Sequence, residues 1–179
     1  MCSTNCGERL SRLKQAVLFY STAKAFTQSA CLMMTNPLRC QIKNDLQFIL
    51  GFHHLIGFAA ELYLKAFLLQ RGVSEAELRS QKYGHKLHVL LENAEAHGLV
   101  CPAARSLCGY LEKHSTYEYR YMNQAAAYDL RPLDQIFNDF SDLDIAIDQA
   151  VGASESKGVA VGQRWIFPQD AKLWWIGEA

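Results

Sequence analysis

The run LQFILGFHHLIGFAA, Leu46–Ala60, decides how this chain folds. Its fifteen residues carry no formal charge, and apolar side chains fall on every face of the helix they would form. A helix that is apolar all round belongs inside a bundle or inside a bilayer. The bilayer reading needs about 20 apolar residues. Here the uncharged run is shorter, Glu61 and Lys65 follow it, and His53 and His54 lie within it. Ionisable groups are costly in lipid, so the run predicts the central helix of a bundle, spanning Lys43 to Gln70. Gly51 and Gly57 would each weaken an isolated helix by up to about 1 kcal/mol, and their expected use is to admit a neighbouring helix.

The rest of the chain supplies helices to surround it. With 179 residues, 50% of them hydrophobic and 20% charged, a single core is available and disorder is excluded. On the N-terminal side, Leu13, Val17, Tyr20, Ala23, Phe26, Ala30 and Met34 recur at helical steps, predicting a helix over Arg9–Met34 that Asn36-Pro37 stops. On the C-terminal side, Arg71-Gly72 closes the central helix, and Ser74 with Glu77 has the spacing of a capping box for a short turn. A helix follows from His85 to His97, closed by Gly98, and another over Ala103–His114. Pro132 then opens a last one, with Leu133, Ile136, Phe137, Phe140, Leu143, Ile147 and Val151 in phase.

From Gly152 the composition changes. GASESKG reads as a flexible linker, and Trp165, Trp174 and Trp175 all fall in the final fifteen residues. VAVGQRWIF and AKLWWIG flank Pro168-Gln169-Asp170, a pairing that would form a small β-hairpin. So dense an apolar tail either folds back on the bundle or docks on a partner, and back-packing is the favoured reading. The expected fold class is therefore all-α, an up-and-down bundle of about five helices over residues 1–151, with a linker and Trp-rich tail over residues 152–179.

Lysine plus arginine and aspartate plus glutamate each number 18, which excludes a strongly basic coat for wrapping nucleic acid. The balance hides a gradient. Arg9, Arg12, Lys14, Lys24, Arg39 and Lys43 face only Glu8 in the first 43 residues, while Asp134, Asp139, Asp142, Asp144 and Asp148 crowd the last helix. Either the first and last helices attract each other, the favoured reading, or the first carries a modest phosphate-facing patch. Six cysteines without zinc-finger spacing, and no apolar leader ahead of them, point to free, mostly buried thiols in a reducing, cytoplasmic setting. No metal and no cofactor is expected: His53 and His54 point to different faces, and His85, His88 and Glu92 share one as polar helix faces often do.

Three short motifs in order, Glu61-Leu62-Tyr63-Leu64-Lys65-Ala66, Gly84-His85-Lys86-Leu87, and Arg120-Tyr121 preceded by Tyr117, resemble the HEPN superfamily of helical bundles over residues 45–151. The resemblance implies an up-and-down bundle that forms a homodimer and is often encoded beside a nucleotidyltransferase partner. Many members are metal-independent ribonucleases of toxin–antitoxin or defence systems; others are non-catalytic binding modules. The nuclease signature is an arginine followed, after four to six residues, by a histidine. Arg79 and His85 have that spacing, with His85 as general base and Arg79 stabilising the phosphorane. They lie earlier in the chain than the family's signature does, however, and no histidine follows Arg120.

The remaining candidates each have two readings. Glu61 and Lys65 are an i,i+4 pair, expected to be a structural polar pair inside an apolar helix. Tyr117, Arg120 and Tyr121 are the candidate ligand-binding residues, able to stack on bases and contact phosphate, or else to tuck into the core with Arg120 clamped by an acid. The favoured function is a non-catalytic binding or accessory module for a nucleotide, an RNA or a nucleotidyltransferase-type partner, not associated with a membrane. The alternatives are a ribonuclease using Arg79 and His85, and an interaction protein docking through Trp165, Trp174 and Trp175.

Overall fold

The computed structural model describes residues 3–41, 46–112, 130–158, 161, 162 and 167. Among them are six α-helices: α1 Ser3–Thr35, α2 Leu46–Gln70, α3 Glu75–Leu78, α4 Leu87–Ala96, α5 Pro102–Tyr110 and α6 Leu133–Val151. The all-α bundle expected from the sequence is what forms. The region of the expected hairpin lies outside the described residues, apart from isolated positions that include Phe167.

The central run does become the central helix. α2 packs against α1, α4, α5 and α6, and Phe52, Ile56, Ala59, Ala60, Tyr63 and Leu64 are fully enclosed. Each such leucine or phenylalanine contributes about 1.5–3 kcal/mol by leaving water. Length is not what separates α2 from a membrane span. Phe48–Gln70 is long and apolar enough to cross a bilayer, because Glu61 and Lys65 are its only charges and neutralise each other. Its apolarity is instead accounted for by packing, since 78% of an apolar 18-residue window within it is buried in the bundle.

α1 runs antiparallel to α2: Arg12 meets Gly72, Tyr20 meets Tyr63 with ring centroids 5.8 Å apart, and Phe26 meets Phe58 at 6.3 Å. Its buried seam is narrower than the expected stripe. Ala16, Tyr20, Ala23, Thr27, Ala30 and Met34 alternate four- and three-residue steps, the heptad spacing of a helix lying along one groove. α6 lies parallel to α2, with Phe137 against Phe52 and Phe140 against Tyr63.

Helix ends follow their local chemistry. Ser74 Oγ accepts the Glu77 amide at 3.2 Å, as the capping-box spacing predicts. Gly72 takes φ +99° beyond α2, and Gly152 takes the left-handed conformation after α6. Pro132 sits just before α6 rather than in its first turn. Two expectations fail. Gly51 admits no neighbour, since a Cβ there would meet nothing within 4 Å. GASESKG is no loose linker: it turns at Gly152, forms a 3-10 turn over Glu155–Lys157, and is tied to α6 by Asp148.

Candidate functional site

Two buried polar clusters interrupt the apolar core, and both touch α2. The first is built on Glu61, whose side chain is 5% exposed. One helical turn on, Lys65 Nζ donates to Glu61 Oε1 at 2.6 Å. The other oxygen, Oε2, accepts from His85 Nδ1 at 2.8 Å. A carboxylate only accepts, so Nδ1 of the imidazole is the donor in this contact. His85 is 43% exposed in its side chain and stands edge-on to Phe58, centroids 5.9 Å apart. Phe58 in turn meets His54 at 4.6 Å.

This geometry depends on where the fourth helix begins. α4 starts at Leu87, so His85 belongs to the turn before it and swings to α2 instead of sharing a helix face with His88. Among the described residues no cluster of His, Cys, Asp or Glu has the form of a metal site. His53 is a core histidine: Nδ1 donates to the Ile49 carbonyl at 2.8 Å and Nε2 accepts the Tyr110 hydroxyl at 2.7 Å.

Arg79 is placed elsewhere. It closes α3, is 73% exposed, and forms an ion pair with Glu75. Arg79 and His85 are each held by a different carboxylate, on different elements. Tyr117, Arg120 and Tyr121 lie outside the described residues, as do Trp165, Trp174 and Trp175. The tail does reach the bundle at Phe167, whose ring lies 5.7 Å from that of Phe137.

The second cluster joins the first and last helices, as the charge gradient favours; which of the charges would meet was missed. Asp144 of α6 is 2% exposed in its side chain; its Oδ2 accepts from Lys24 Nζ at 2.9 Å and its Oδ1 from the Tyr63 hydroxyl at 2.8 Å. Burial first, and the Asp144 charge second, push the Tyr63 and Tyr20 hydroxyls far above the ordinary tyrosine range, so both stay protonated. One turn on, Asp148 accepts the Ser154 amide and hydroxyl and, at 3.4 Å, the Gly162 amide. Gly162 is pressed so close that a Cβ would lie 2.8 Å from Asp144 Oδ2. The signal was available: Asp144 and Asp148 fall four residues after Phe140 and Asp144, in phase with the apolar stripe of α6.

A third feature, also missed, is the cation of α6's approach. Arg131 reaches Asp139 at 2.9 Å and Ser106 Oγ at 3.1 Å while its guanidinium covers the Tyr110 ring. It clamps α5 to α6. Cys31, Cys101 and Cys108 are free, and burial raises the Cys31 thiol to about 11 and the Cys108 thiol to about 12, which leaves neither of these two as a nucleophile near neutrality. Set against known proteins, the chain matches no family model, no curated protein and no solved structure.

Proposed function

We propose that this chain is a non-catalytic binding module of the HEPN-like kind, acting as a homodimer on a nucleotide or RNA, with Tyr117, Arg120 and Tyr121 as the ligand-contacting residues. The observation that carries the reading is the separate commitment of Arg79 and His85. An arginine–histidine pair that cleaves RNA must hold both groups on one phosphate. Here Arg79 is taken by Glu75 on α3, while His85 is taken by Glu61 on α2. Glu61 and His85 then serve to fix the chain leading into α4 against the central helix. The dimeric state is supported by Leu18 and Leu32, 56% and 70% exposed on α1. They lie about four helical turns apart, on one face.

The test is incubation with mixed RNA in EDTA, using the wild type and His85→Ala, alongside anisotropy titrations of a labelled RNA and a labelled nucleotide. Neither form cleaves, and Arg120→Ala weakens binding about tenfold, the size of one lost stacking and guanidinium contact. Cleavage that disappears in His85→Ala overturns the proposal in favour of a metal-independent ribonuclease, in which Glu61 orients His85 and Nε2 takes the 2′-hydroxyl proton.

A further inference from the structure

Three cations of α1 go to two destinations. Lys24, in the middle of the helix, goes to Asp144 on α6. Arg9 and Arg12, near its start, go to a cavity of about 280 Å³ at the far end of α2, where Leu13, Leu69, Gln70 and Arg71 complete the wall. Three guanidinium groups thus line one small cavity, and no carboxylate does. Arg12 is fixed by donating from Nη1 to the Gly72 carbonyl at 3.1 Å. Arg71 is fixed by lying over the Phe67 ring, 4.9 Å from its centroid. Among the described residues none of the three forms an ion pair. Glu75, on the next helix, is occupied by Gln15 and Arg79.

Capping explains one of these arginines. A single cation near the C-terminus of α2 suits the helix dipole, and Arg12, on the Gly72 carbonyl just beyond that end, provides it. Arg9 and Arg71 add like charge to the same wall, an arrangement that an anion would relieve. Gln70 lines the same cavity, and its Oε1 is buried beside it without a hydrogen-bond partner, so a small turn of the amide would bring an unmet acceptor to the wall. Phosphate matches the guanidinium forks, and a hydroxyl or amino group beside it would supply Gln70 with its missing donor.

We propose that this cavity binds a small phosphomonoester that also carries a hydroxyl or amino donor, of the nucleotide or sugar-phosphate class. Arg9, Arg12 and Arg71 hold the phosphate and Gln70 reads the donor. The site is separate from the Glu61 cluster: Gln70 lies nine residues further along α2, about 14 Å of helical rise. It stands whether or not the chain binds RNA through Arg120.

The experiment is calorimetric titration of the full chain with adenosine 5′-monophosphate, ribose 5-phosphate, inorganic phosphate and adenosine. The wild type is compared with the Arg9→Gln/Arg71→Gln double variant, which leaves the Arg12 cap in place. Lys82→Gln, an exposed lysine beside Glu77, is the control for lost charge alone. The phosphate esters bind, adenosine binds at least about tenfold more weakly, and the double variant loses at least about tenfold in affinity, as expected for charge-assisted hydrogen bonds. The Lys82→Gln control keeps wild-type affinity. Equal binding of adenosine and its monophosphate, unchanged affinity in a folded double variant, or no binding of any phosphate ester at millimolar concentration overturns the proposal.

Discussion

Asp144 and Glu61 face the same difficulty and solve it differently. Each is a carboxylate almost wholly withdrawn from water in a helical core, and each has a lysine within hydrogen-bond reach. For Asp144 the second described partner is the buried Tyr63 hydroxyl, with the Tyr20 hydroxyl also facing it, and Gly162 closes over it. For Glu61 the second described partner is His85, a half-exposed imidazole on a turn. A charge closed in by hydroxyls and backbone can only hold helices together. One that ends at a solvent-facing ring can also position that ring for something outside. The difference separates a sealed fastening from one with an open edge.

The sharpest way to break this comparison is to neutralise each carboxylate without changing its shape. Asp144→Asn leaves the Lys24 ammonium and the Tyr63 hydroxyl facing an amide inside the α1–α2–α6 seam. Removing one partner of a buried pair costs about 3 kcal/mol, read as a lowered midpoint in urea unfolding with the slope unchanged. Glu61→Gln also strands the buried Lys65 ammonium, but its other described partner, His85, is part-exposed and can turn to water, so the expected loss is the smaller one, about 2 kcal/mol. Equal losses in the two variants would make the Glu61 cluster as closed a fastening as the Asp144 one.

How much of this was visible in the sequence depends on the range of the interaction. The uncharged run of α2, the capping box at Ser74 and the stops at Pro37, Gly72 and Gly98 are local signals, and they produced the helices in order. The Glu61–Lys65 pair is likewise a matter of one helical turn. Its third member is not, because His85 reaches Glu61 across 24 residues and only from a turn, whereas helical periodicity alone would have put it on α4. The Lys24–Asp144 contact spans 120 residues; the charge gradient predicted the attraction between the helices but not which charges meet. GASESKG misled for a related reason. Small polar residues read as a linker when their hydrogen-bond partner, Asp148, lies outside the segment. The convergence of Arg9 and Arg12 with Arg71 needed the antiparallel register of α1 and α2, which no single stretch encodes.

Asp148 gives the smallest test, and it adds a third case to the comparison. It is fully buried on α6. Burial alone would raise its carboxyl, but the Ser154 hydroxyl and amide, the Gly162 amide and the Lys24 charge together hold it below the ordinary carboxylate value. A carboxyl depressed in the folded state binds fewer protons than it does in the unfolded chain. Its contribution is therefore complete above the unfolded value of about 4 and is lost as the pH falls from there through the folded value. Urea midpoints measured from pH 6 to pH 2.5 should fall on the acid side less steeply for Asp148→Asn than for the wild type, even though the variant starts lower. Parallel acid limbs would mean that Ser154 and Gly162 do not favour the charged form. The turn at 152–158 would then be held by its own 3-10 geometry, not by the carboxylate beneath it.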